Sequence, residues 1–199
     1  QIMIQINDLC AETVYHREIF NGLQGTGREL AQLTFRQCRF EGCDFSECRW
    51  PKTRFIGCEF VECNLSLTEL KDCSLNEVVF RECKLIGVNW STAALLKKLS
   101  FYDSILNYGT FLGVTLPKTV FENCVCQNVY FAESNFAGSR FSGTDLQEAQ
   151  FAQVDLRRAD FRRAKNYMLS PMANQIVGGK FVMPEALALL YGLEIELED

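Results

Sequence analysis

Histidine is almost missing from this sequence: His16 is the only one in 199 residues. The chain is thereby short of the usual general base near neutral pH and of the commonest protein ligand of metals. No GxSxG, HExxH or phosphate-loop pattern occurs either, so no nucleophile, base and orienting group can be assembled, and the chain is not expected to be an enzyme. No cofactor-binding or metal-binding set is expected, and His16 reads as an exposed coil residue. No apolar run approaches the roughly 20 residues of a membrane helix, and mean hydropathy is −0.03. Positive charge is in deficit, with 20 Lys and Arg against 25 Asp and Glu for a net charge of −5. That balance argues against direct nucleic-acid binding, which needs a basic surface, and against a membrane-surface role. Gln1 to Asp8 hold no basic cluster followed by an apolar stretch, so no secretory signal is expected and the protein reads as cytoplasmic.

What the sequence does hold is a period of five. Every fifth residue from Leu30 gives Phe35, Phe40, Phe45, Trp50, Phe55, Phe60, Leu65, Leu70, Leu75, Phe80, Leu85 and Trp90. A second series runs from Phe101 through Leu106, Phe111, Leu116, Phe121, Cys126, Phe131, Phe136, Phe141, Leu146, Phe151 and Leu156 to Phe161. Neither a helix period of 3.6 nor a strand period of 2 produces this. Two residues before each large position stands a small or β-branched one, with Arg28, Leu33 and Leu99 the exceptions. Alternating large and small inward positions fill a narrow tube, and the remaining three residues of each repeat face solvent.

The same register explains nine of the ten cysteines, all but Cys10. Cys38, Cys43, Cys48, Cys58, Cys63, Cys73, Cys83 and Cys124 occupy the small inward column, and Cys126 takes a large position. They read as free core thiols in a reducing environment rather than as disulfides or zinc ligands.

Three segments leave the pattern. Residues 1–29 follow it poorly, with Gly25 at a large position, and read as an irregular N-terminal coil or cap. The repeat region, 30–165, is interrupted at 91–98, where eleven residues separate Trp90 from Phe101. One residue too many predicts a bulge or short loop involving Ser91, Ala94, Leu95, Lys97 and Lys98. Residues 166–199 read as a C-terminal cap or dimerisation segment, with a short helix from Pro184 to Tyr191 and an alternating strand over 193–198. A solenoid must cover its last coil, and Leu187, Leu190, Leu193, Ile195 and Leu197 are the expected dimer contact.

Outward charge is uneven. With one extra residue allowed at the break, residues twenty apart share a face. The face of Phe40 carries Glu41, Glu59, Glu62, Glu82, Asp103 and Glu122 against Arg39 and Arg81. The face of Phe35 and Phe55 carries Arg36, Arg54, Lys97, Lys98, Lys118, Arg157 and Arg158 against Glu77 and Asp155. The acidic face is the candidate contact for a basic groove.

Units such as Cys38-Arg-Phe-Glu-Gly42, Cys43-Asp-Phe-Ser-Glu47 and Ala159-Asp-Phe-Arg-Arg163 resemble the pentapeptide-repeat family. The resemblance covers about residues 30–165 and implies an all-β solenoid, a right-handed quadrilateral β-helix with four repeats per coil. Cys63-Asn-Leu-Ser-Leu67, Gly87-Val-Asn-Trp90 and the ending from Pro184 to Asp199 resemble its topoisomerase-protecting branch. The albicidin-resistance proteins of that branch are the most similar; it also holds the Qnr quinolone-resistance proteins and the microcin B17 immunity protein. The resemblance implies a homodimer joined at the C-termini that binds DNA gyrase, with topoisomerase IV a further possible target, by mimicking DNA. The chain departs from Qnr in having only 91–98 available for a projecting loop, which leaves an albicidin-like or microcin-like toxin open. The alternative function is a non-enzymatic scaffold or effector that uses another face, the basic one included.

Overall fold

The computed structural model describes residues 5–191, 193 and 195. Its backbone is a parallel ladder wound on itself. Thr34–Arg36 pairs with Val14–His16 and with Arg54–Ile56, and Arg39–Glu41 pairs with Ile19–Asn21 and with Glu59–Val61. Between these strands, bridges such as Gln24 with Asp44 and Glu29 with Arg49 carry the same 20-residue register. Four ladders per turn make a four-sided parallel β-solenoid, and each residue lies directly over its counterpart one coil earlier.

Every large position of both series is buried, and so are all eight cysteines of the small column and Cys126. The interior is a set of stacks. Phe20, Phe40, Phe60, Phe80, Phe101, Phe121, Phe141, Phe161 and Phe181 form one continuous pile, with neighbouring ring centroids 4.9 Å apart at the start and 5.3 Å at the end. Offset stacking of this kind adds about 0.5–1.5 kcal/mol per pair beyond area burial.

The solenoid is longer than the reading of 30–165. The ladder already runs at Val14, so the irregular segment 1–29 is corrected to a cap that ends before it. Gly25 breaks the sequence pattern because Ile6 takes its place: a Cβ there would lie 3.2 Å from Ile6 Cδ1 and 3.0 Å from Phe45 Cδ1. The other end runs past 165, with Asp155 bridging Gln175 and Asp160 bridging Lys180. There Tyr167 and Leu169 fill the interior in place of the regular residues. The expected C-terminal helix is present as a 3-10 turn Glu185–Leu187 leading into Ala188–Tyr191. Leu193 sits in a turn, its N–H donating to Leu190 O at 2.9 Å. The rest of the expected strand, Leu197 included, lies outside the described residues apart from Ile195.

The break is compact. Trp90–Thr92 forms one 3-10 turn, and Leu95–Tyr102 then pairs in full with Ser74–Arg81. Across it the register becomes 21, as in Ser74 with Leu95 and Asn89 with Thr110, and returns to 20 at Ser100 with Val120. The extra residue is therefore absorbed within 91–94, which project no loop.

Candidate functional site

Each side of the coil turns its corner two residues after the large position, and the residue there has positive φ. Glu62, Glu82 and Asp103 are such corner residues on three successive coils, with φ of 52°, 52° and 50°. Stacked coils repeat at about 4.8 Å, so the three carboxylates form a ladder along one edge. All three are exposed, and no cation pairs with them among the described residues. Asn123 continues the row, its Nδ2 donating to Asp103 Oδ1 at 3.3 Å. Non-glycine residues in this backbone region cost about 1–3 kcal/mol each, and like charges one coil apart add repulsion. The neighbouring core absorbs both costs.

The remaining acids predicted for this surface are already engaged. Arg39 donates to both Glu41 and Glu59, and Arg81 donates to Glu59 at 2.8 Å while lying over the Tyr102 ring at 4.3 Å. Glu122 faces Arg140 at 3.6 Å. The structure thus splits the predicted set: Glu62, Glu82 and Asp103 are free, whereas Glu41, Glu59 and Glu122 sit in exposed ion pairs. Such pairs are worth little. The expectation of an acidic face groups these residues by the twenty-residue stacking of coils, which does not separate corner positions from side positions. The signal available was position, since all three free acids fall two residues after a large one.

On the opposite edge, Lys98 pairs with Glu77 at 2.5 Å, which holds the Glu77 carboxyl below its usual value. Arg157 forks onto Asp155, with Nη2 donating at 2.6 Å. At the break, Ser91 N–H donates to Asn89 Oδ1 at 3.1 Å, and Ser91 Oγ accepts from Leu112 N at 2.7 Å. Ala94, Leu95, Lys97 and Lys98 are exposed, but Leu95, Lys97 and Lys98 lie in a strand. Of the dimer candidates, Leu187, Leu193 and Ile195 are exposed and Leu190 is half-buried.

The buried cysteines are held as core thiols. Burial pushes Cys73 and Cys124 up to about 12, and it pushes Cys126 well above the ordinary thiol value. Cys38 moves the other way because the Cys58 thiol hydrogen-bonds to it, yet only 1% of it is exposed. A thiolate there has no approach path.

These features define a class: a stacked parallel β-solenoid that presents fixed rows of side chains. The sequence matches the family described as "Pentapeptide repeat region" over residues 33–111 and "Pentapeptide repeats (8 copies)" over 124–163. The two matches together span more than half of the chain, and the chain is a pentapeptide-repeat protein. Among solved structures, trypsin-treated QnrB1, a plasmid-mediated fluoroquinolone resistance protein, superposes with a TM-score of 0.69 at 18% identity. That match covers 94% of this chain and 99% of the other. A second trypsin-treated QnrB1 structure gives 0.69 at 19% identity, covering 93% and 97%. HetL, a pentapeptide repeat protein involved in heterocyst differentiation regulation in the cyanobacterium Nostoc sp. strain PCC 7120, gives 0.53 at 14% identity, covering 83% and 86%. At these identities the likeness is one of fold. No curated protein sequence matches the chain. Among the described residues no helix is long and apolar enough to cross a membrane.

Proposed function

We propose that this chain is a cytoplasmic resistance or immunity protein that binds DNA gyrase and protects it from a topoisomerase-targeting toxin. The observation that carries the reading is the unpaired ladder of Glu62, Glu82 and Asp103 on a rigid edge. Its support is the fold shared with QnrB1, a fluoroquinolone resistance protein, together with the sequence resemblance to the topoisomerase-protecting branch. An albicidin-like toxin is the finer expectation from that resemblance.

The physics is that of partial DNA mimicry. B-DNA carries one charge per roughly 1.7 Å of axis, and one carboxylate per coil of about 4.8 Å is sparser. The edge therefore steers toward a basic groove more than it replaces DNA charge for charge, and binding should weaken with salt. The proposed contact is the corner ladder, with Glu41, Glu59 and Glu122 as its ion-paired flank.

A homodimer joined through the C-terminal end belongs to the same reading. Its support is the exposed apolar group Met183, Leu187, Leu193 and Ile195. Light scattering at micromolar concentration should give the mass of two chains; the mass of one would reject the dimer. The function itself is tested by gyrase supercoiling with purified protein, with and without albicidin as the cleavage-trapping toxin. Inhibition alone or rescue in the presence of toxin supports the proposal. Unaltered supercoiling and unaltered trapping by a folded protein reject it.

A further inference from the structure

The face that is acidic at its N-terminal end changes sign toward the C-terminus. The rows that hold Glu59, Glu41 and Glu62 in early coils hold Arg140, Arg162 and Arg163 in late ones, and Lys165 stands just around the corner. These four cations line a cleft of about 700 Å³ between the last coils and the segment that follows them. Small residues make the recess: Ser142 and Ala164 form part of its wall, and Val182 closes one side.

Charge pairing inside the cleft is incomplete. Asp160 is taken by Arg162, whose Nε and Nη2 donate at 2.9 and 2.7 Å. That fork fixes the guanidinium while its other N–H groups remain available. Arg140 has only the 3.6 Å contact with Glu122. Arg163 has no carboxylate partner among the described residues, whereas Lys165 acts on the Asp145 carboxyl one coil earlier, and Glu185 also lines the cleft. Arg163 and Lys165, neither held in a contact ion pair among the described residues, beside a pre-oriented arginine are suited to a ligand of two negative charges. A phosphate group carries close to that at neutral pH, and arginine forks match its oxygens. The volume lies within the range of small-ligand sites.

We propose that this cleft binds a small phosphate-bearing molecule, with Arg162, Arg163 and Lys165 holding the phosphate. The site does not rest on the gyrase reading: Arg162, Arg163 and Lys165 stand toward the C-terminal end from the acid ladder, and Glu122 alone borders both. The test is isothermal titration of the full chain with inorganic pyrophosphate, against sodium sulfate at matched ionic strength. Saturable one-to-one binding of pyrophosphate is expected, stronger than sulfate. Two lost charge-assisted hydrogen bonds should weaken binding in Arg163→Gln/Lys165→Gln by about tenfold or more. Arg162→Lys, which keeps charge but loses the fork, should weaken it severalfold. Lys97→Gln/Lys98→Gln, on another face, should bind as the parent does. No saturable pyrophosphate binding, equal sulfate binding, or equal losses in the Lys97/Lys98 control would each overturn the site.

Discussion

Trp50 and Trp90 occupy equivalent positions two coils apart, yet only one is satisfied. The Trp50 indole N–H donates to Thr68 Oγ1 at 2.9 Å, whereas Trp90 Nε1 has no partner among the described residues. The residue facing Trp90 is Gly109, where a Cβ would stand 3.7 Å from the indole nitrogen. A hydroxyl in the small column thus serves the neighbouring coil as well as filling space. Thr68→Val keeps the volume and removes that acceptor. It should cost about 1–3 kcal/mol, the usual cost of a buried unsatisfied donor. Cys48 O, which the hydroxyl also contacts, keeps its bond from Glu69 N at 2.8 Å, so the loss belongs to the indole. Urea unfolding checks this; unchanged stability would show that the indole finds another partner. The sequence reading saw the small column as space alone. Which members carry bonds was not legible, because that depends on what the next coil places opposite.

Some coil sides are closed by a local side-chain turn, and a single residue type makes it. Where Asp or Asn precedes the large residue, its side chain accepts from the N–H two residues on, as in Asp44 to Ser46, Asn64 to Ser66, Asn135 to Ala137 and Asp155 to Arg157. This is the Asx turn, which satisfies backbone locally. Sides such as Arg39–Glu41 and Arg54–Ile56 run as short strands, whereas those of Lys84, Ile105 and Val125 turn after a single bridge without an Asx residue. In two of the turns a following arginine adds a fork, and Arg157 and Arg162 hold Asp155 and Asp160 below the usual carboxylate range. A carboxyl whose folded value is depressed stabilises the fold above its unfolded value, near 3.9, and the benefit is lost as pH falls through the folded value. Melting temperature should therefore hold from pH 7 to about 5 and drop below about 4. Asp155→Asn/Asp160→Asn keeps the Asx acceptors and should show a shallower acid decline; parallel declines would remove these pairs as the cause.

Over the whole molecule, the five-residue period made the tube legible because the large inward position must be apolar wherever a coil stacks. The ends were less legible. Gly25 is compensated by Ile6, and past Phe161 the off-period Tyr167 and Leu169 are buried in the interior. The candidate acidic face was readable as composition, but its division was not. Arg39 reaches Glu41 two residues on along its own side and Glu59 twenty residues on across the coils, so one guanidinium engages both. The sign change toward Arg140 and Arg162 also belongs to this scale, confining any DNA-like charge to the N-terminal coils. The most direct measurement is gyrase supercoiling in the presence of Glu62→Lys/Glu82→Lys, compared with the parent and with circular dichroism confirming the fold. The account predicts that the reversed ladder loses most of the inhibition or toxin protection that the parent shows. Equal potency of a folded variant would contradict the acid ladder as the contact.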